Sequence, residues 1–138
     1  MKANQVKNSS IHNLLINSLR KGDAADKTKR PWGEFANIRQ EDGLNIKIIK
    51  VKPQSRLSLQ SHKLRDEVWF LSNGNLYCQI KNKTIEMKKG LSYFIPKGSK
   101  HRLWAEKTGG EIVEISSGKF DEQDIVRYQD DYGRVKES

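Results

Sequence analysis

The chain has 138 residues, 26 of them Lys or Arg and 17 Asp or Glu, for a formal charge of +9. That length supports one core and leaves no room for two enzyme domains of ordinary size, which excludes most two-domain synthetases, kinases and dehydrogenases. No apolar run approaches the roughly 18 residues that cross a bilayer, and the start MKANQVKNSS lacks the apolar stretch of a secretory signal. A soluble, cytoplasmic protein with no membrane partner is expected. Residues 1–30, 31–117 and 118–138 carry +5, +6 and −2, so the positive charge is spread rather than concentrated in one basic block. No helix-turn-helix, zinc-finger or RNP1 motif accompanies it, and nucleic acid is not expected as a partner.

In chain order, SSIHNLLINSLR at 9–20 places Ile11, Leu14, Leu15 and Leu19 at helical spacing, with Ser9 or Ser10 available as a cap. KGDAADKTK then reads as a charged linker, so residues 1–29 form an N-terminal extension and a compact domain runs over 30–134, followed by a tail at 135–138. From Asn45 to Ser117 the pattern changes to short apolar runs: NIKIIKV, RLSLQ, EVWFL, LYCQI, KTIEM, SYFI, HRLWA and EIVEIS. Turn signals PQS, SNGN, KNK, KKG, PKGS and KTGG separate them. Eight short strands without an intervening helix predict an all-β antiparallel sandwich or barrel. Asp121 is placed to cap a brief C-terminal helix over DEQDIVRY. The single cysteine, Cys78, excludes an internal disulfide and a thiolate zinc cluster, and its alternation with Leu76 and Ile80 marks a buried strand residue.

The residues with metal-ligand chemistry cluster in two places. Gln60 and His62 share one face of a strand, and a hairpin would return Glu67 beside them. His101 follows the turn shaped by Pro96 and Gly98. Two imidazoles, a carboxylate and an amide oxygen from neighbouring strands suit one divalent cation, with zinc first and cobalt, nickel, manganese or iron as alternatives. Either histidine alone is commoner as a surface or satisfied interior residue; the spacing of the two blocks, Gln60 to Gly74 and Gly90 to His101, is what joins them.

Those two blocks resemble the paired motifs of the cupin superfamily, with Gln60 where many cupins carry their first histidine. The longer string is similar to type II phosphomannose isomerases, and to the C-terminal isomerase domain of bifunctional mannose-1-phosphate guanylyltransferase/phosphomannose isomerase proteins. It comprises RPWGEF at 30–35, RLSLQSHKLRDEVWFLSNG at 56–74, YFIPKGSKHRLWA at 93–105 and EIVEISSGKFDEQDIVRYQDDYGR at 111–134. The resemblance implies a double-stranded β-helix, or jelly-roll barrel, with short terminal helices. It also implies a metal-dependent aldose–ketose isomerase acting on mannose 6-phosphate and fructose 6-phosphate, for nucleotide-sugar and polysaccharide synthesis, in a homodimer. Another sugar-phosphate isomerase or epimerase, or a non-catalytic sugar- or metal-binding partner of a separate guanylyltransferase, are the alternatives. Glu114 matches an acid of the family's strand and is either the general base or the ion-pair partner of a barrel lysine such as Lys47. Arg102 and Lys47 are grouped with it as catalytic, and Arg65, Arg134 and Trp32 as substrate-binding, with Arg102 the first choice for the phosphate. Two positions depart from the family: Gln54 stands where Gly is usual, and Ala105 where Asn is usual.

Overall fold

Short runs that alternate in polarity form strands because one face of each meets a core and the other does not. The computed structural model describes residues 27–41 and 43–135. The amphipathic segment 9–20 therefore lies outside the described residues. The described chain forms β1 (Lys27–Arg30), β2 (Gly33–Glu41), β3 (Gly43–Val51), β4 (Leu59–Ser61), β5 (Arg65–Gly74), β6 (Tyr77–Ile80), β7 (Lys83–Glu86), β8 (Ser92–Ile95), β9 (His101–Trp104), β10 (Gly110–Gly118) and β11 (Val126–Gln129). A six-stranded antiparallel sheet runs β1-β2-β3-β10-β5-β8 and faces a five-stranded one ordered β11-β4-β9-β6-β7. Each expected segment from Asn45 to Ser116 contains one strand, although RLSLQ contributes only the short β4, and Arg56 adds an isolated bridge to Trp104.

Three features depart from the sequence reading. No helix occurs among the described residues. Where a C-terminal helix was expected, Asp121 Oδ1 instead accepts the Gln123 backbone N–H in a tight turn. The chain then becomes β11 and pairs with β4; distant strand pairing overrides a local capping signal. Strands β1 and β2 escaped the polarity pattern because β2 shifts register between Asn37 and Arg39, so its alternation breaks at Ile38. Finally, β4 and β5 do not form a hairpin: they belong to opposite sheets, so the 62–64 connection crosses the barrel.

The core between the sheets gathers Ile49, Val51, Trp69, Leu71, Ile112 and Ile95 from one side and Cys78 and Leu103 from the other. Cys78 is fully buried, and burial pushes its thiol up to about 12, which makes it a small hydrophobe rather than a nucleophile.

Gly74 closes β5 with φ +70, and a Cβ there would sit 2.2 Å from the Gly109 carbonyl oxygen. Both the left-handed backbone and the backbone contact forbid a side chain. Gly74→Ala should lower unfolding free energy by roughly 2–4 kcal/mol, read from the denaturant midpoint; an unchanged midpoint would contradict this packing.

Candidate metal centre and substrate cavity

A cavity of about 170 Å³ opens between the sheets. Three strands of the larger sheet supply its polar floor through a single cross-strand row. Lys47 on β3 is paired in register with Glu114 on β10, which is paired in turn with Trp69 on β5. The parallel row two residues along places Ser116 opposite Glu67. On the opposite sheet, Gln60 is paired with His101.

His62, Glu67 and His101 each offer a ligand atom within 4.8 Å of one another. Glu67 Oε1 lies 3.4 Å from His101 Nε2, and Glu67 Oε2 lies 3.7 Å from His62 Nε2. Both imidazoles are held the same way. His62 Nδ1 bonds the Asp124 carbonyl at 2.7 Å, and His101 Nδ1 bonds the Ser99 carbonyl at 2.9 Å. A carbonyl only accepts, so each Nδ1 carries the proton and each Nε2 presents a lone pair to the site. Burial holds both histidines below their ordinary pKa, His62 at about 4, which keeps them neutral.

The donor set fits a divalent cation on one observation in particular. Glu67 Oε1 is buried and without a hydrogen-bond partner, facing an imidazole lone pair. Two acceptors at that distance repel unless a cation or a proton lies between them. Arg65 supplies part of the missing charge: Nε donates to Glu67 Oε2 and Nη2 to His62 Nε2, both at 3.2 Å. It thus competes with any ion for the His62 lone pair. Gln60 lines the same cavity, and its Nε2 donates to the Ser58 carbonyl at 3.4 Å, which leaves its amide oxygen as the free end.

The two buried carboxyls have opposite proton affinities. Burial, then the charge of Glu114, push Glu67 well above the ordinary carboxylate range. Burial pulls Glu114 the same way, but Lys47, a hydrogen bond from the Glu67 carboxyl, Arg65 and the Trp69 indole outweigh it and hold Glu114 below its usual value. The indole Nε1–H donates to Glu114 Oε1 at 3.0 Å. Lys47 sits with its ammonium 4.6 Å from the Phe35 ring centre and 5.4 Å from that of Phe120.

Trp32 is 5% exposed and belongs to both the core cluster and the cavity wall. Arg134 reaches the cavity mouth, forked onto Asp130 with Nε–Oδ2 at 2.8 Å and Nη2–Oδ1 at 3.2 Å. Arg102 is the exception among the expected residues. Adjacent strand residues face opposite ways, so with His101 and Leu103 turned inward Arg102 points out. Its Nε donates to the Leu57 carbonyl, and its other nitrogens bond Gln129 on β11, so it ties down the C-terminal strand instead of lining the cavity. Ala105 is likewise a core residue, 4% exposed.

Sequence reasoning passed over Trp69, Phe35, Phe120, Arg127 and Asp124. Trp69 belongs both to the core cluster and to the cavity lining. Arg127 shares a mouth with Arg30, Arg134 and Glu122, and its buried Nε has no partner. The strand alternation of β11 would have exposed its role, had that segment not been read as a helix.

A model of the family described as "Mannose-6-phosphate isomerase C-terminal" matches residues 19–130. The chain belongs to the mannose-6-phosphate isomerase C-terminal family. This family member is 39% identical over 110 residues to the alginate biosynthesis protein AlgA of Pseudomonas aeruginosa, covering 78% of its own length and 23% of that relative. It therefore spans about a quarter of the curated relatives it matches. Its fold is that of oxalate decarboxylase from Bacillus subtilis (TM-score 0.69, 17% identity, 78% of this chain and 31% of that one). The Cnp3 cupin domain of Schizosaccharomyces pombe is also similar (TM-score 0.62, 12% identity, 70% and 71%). The family member thus has the all-β cupin fold. No helix among its described residues is long and apolar enough to cross a membrane.

Burial raises the Glu67 carboxyl and lowers both imidazoles, so calorimetry in two buffers of different ionisation enthalpy should show proton release on binding a divalent ion that grows as the pH falls. No release would mean that Glu67 is already ionised. His62→Ala and His101→Ala should each lose the ion while keeping a native spectrum.

Proposed function

We propose that this chain is a metal-dependent aldose–ketose isomerase that interconverts mannose 6-phosphate and fructose 6-phosphate in the cytoplasm, supplying polysaccharide synthesis. The observation that carries the reading is a buried Glu114, held below the usual carboxylate range, beside the Glu67, His62 and His101 cluster in a cavity also lined by Arg30, Arg127 and Arg134. The family membership and the relationship to AlgA support the substrate class.

A proton must move between C1 and C2 of the open-chain sugar, and the negative charge that develops on the two oxygens must be stabilised. A divalent ion held by His62, Glu67 and His101, with Gln60 as the fourth candidate, supplies Lewis-acid polarisation of those oxygens. Glu114 serves as the base. Its carboxylate is fixed by the Trp69 N–H, kept charged by Lys47, and shielded from bulk water by the barrel. Lys47, opposite Glu114, also offers positive charge to a developing oxyanion.

The phosphate falls to the mouth. Arg30, Arg127 and Arg134 line it, and besides burial the charges of Arg134 and Arg30 hold the Arg127 guanidinium below its ordinary value. Like charges crowded this way are relieved by a dianion, and the guanidinium fork suits phosphate oxygens. Arg65, its fork already engaged by Glu67 and His62, serves the substrate through the ligands it orients. Trp32 and Phe35 provide the apolar wall. A homodimer would pair at the free edge of β8, where Leu91 and Phe94 are exposed.

The purified chain should convert mannose 6-phosphate to fructose 6-phosphate in a coupled assay, lose activity to a chelator and regain it with divalent metal. Turnover of a different sugar phosphate alone would redirect the assignment; metal binding with no turnover across a panel would remove it. Glu114→Gln should lower kcat about 100- to 10,000-fold with metal content intact. Arg127→Ala should instead raise KM for the sugar phosphate about tenfold or more, with kcat nearly kept; a normal KM would place the phosphate elsewhere.

A further inference from the structure

A second concave surface lies outside the barrel. It is a cleft of about 620 Å³ between the β6–β7 turn and the connection from β8 to β9, lined by Lys81, Lys97 and Lys100 together with Ser99, Gln79 and Leu59. Gln79 and Leu59 adjoin the inward-facing Cys78 and Gln60, so strand alternation turns them away from the catalytic cavity. No carboxylate lines the cleft. Asp66 Oδ1 accepts the Lys97 backbone N–H at 2.8 Å from outside it. None of the three ammonium groups is in an ion pair among the described residues.

Unconstrained lysines drift apart, because like charges repel. Here the backbone brings them together. Lys81 and Asn82 form the two-residue turn between the paired Ile80 and Lys83. Lys81 takes a left-handed φ of 56 there, at a kind of position where glycine, asparagine or aspartate is the ordinary choice. Its N–H donates to the Lys100 carbonyl at 2.8 Å, and its carbonyl accepts from Gln79 Nε2 at 2.9 Å. Two lysines distant in sequence are thereby fixed to one another at a strained backbone, the kind of outlier that gathers at ligand sites. Ser99 adds a neutral donor. It is only 8% exposed, it lines the cleft, and its hydroxyl bonds no other group among the described residues.

We propose that this cleft binds a small molecule carrying two linked phosphates, held by the ammonium groups of Lys81, Lys97 and Lys100 and by the Ser99 hydroxyl. Three positive charges exceed the roughly −2 of a single phosphate, and a diphosphate matches them. Each ammonium offers three rotatable donors, which suits a flexible run of phosphate oxygens. The cleft also touches the candidate metal centre through one turn. Gly98 N–H donates to the His62 carbonyl at 2.7 Å, and the Ser99 carbonyl accepts from His101 Nδ1 at 2.9 Å. A ligand that engages Lys97, Ser99 and Lys100 therefore acts on the segment that fixes both imidazole-bearing residues. The inference concerns a site outside the cavity and stands whether or not the isomerase assignment holds.

The test titrates the metal-free, 15N-labelled full chain with inorganic pyrophosphate at about 0.15 M salt, so that only site-bound charge is read. Amide signals of Lys81 and of 97–100 should shift together and saturate, with the His101 imidazole signals following at the same concentrations. Shifts that stop short of His101 would overturn the coupling to the metal ligands. Lys81→Gln with Lys100→Gln should weaken binding at these signals about tenfold or more, whereas Arg127→Ala should leave it unchanged. The reverse pattern would place pyrophosphate at the arginine-lined mouth and overturn the proposal, as would the lack of any saturable shift. A single-stranded oligonucleotide of about ten residues that bound more tightly than pyrophosphate would assign the cleft to nucleic acid and also overturn it. Lys81→Gly relieves the left-handed backbone, so it should raise Tm by about 2 °C or more while it weakens binding. A stabler variant that bound pyrophosphate normally would overturn the role given to Lys81.

Discussion

Two carboxyl groups enclosed in a β-barrel constrain the rest of this molecule. Glu67 and Glu114 are 1% and 5% exposed, and an uncompensated carboxylate in such surroundings is costly enough that a protein either neutralises it or provides a partner. Both solutions are present. Glu67 takes up a proton or, on the proposed reading, an ion, and leans on Arg65; Glu114 remains charged because Lys47 and the Trp69 indole face it. One environment thus separates two chemically identical groups into an acid form and a base form. Such separation is characteristic of sites that move protons.

The barrel accomplishes this through strand parity alone. With Ile112 in the core, Glu114 and Ser116 fall on the same face of β10, and register brings Lys47 and Trp69 to either side of Glu114. The same alternation turns Arg102 outward although it adjoins His101. Sequence adjacency to a ligand therefore carries no information about who shares the cavity, whereas a separation of two does.

Much of the fold was legible because short apolar runs punctuated by Gly, Pro and Asn leave few alternatives to antiparallel strands. The left-handed φ of 56 at Gln54 shows that the PQS turn adopts a glycine-like backbone without a glycine. What escaped were elements whose identity depends on distant partners: β2, whose alternation is broken by a register shift, and β11, whose sequence carries an N-cap signal. The clustering of His62, Glu67 and His101 was readable from motif spacing, although the hairpin imagined to unite them is in fact a crossing between sheets. Arg127 and the Asp124 contact were not readable, because both sit on the segment read as a helix.

Asp124 also changes where the working unit ends. Its carboxylate accepts the Lys63 and Leu64 backbone N–H groups at 2.8 and 2.9 Å, while its carbonyl fixes the proton of His62. The last long strand of the barrel stops at Gly118. A fragment trimmed there would retain most of both sheets yet leave His62 free to swap tautomers and the 62–65 crossing without its clasp. For anyone excising such a domain from a longer polypeptide or joining a new one behind it, the safe boundary lies past Arg134, set by chemistry rather than by architecture.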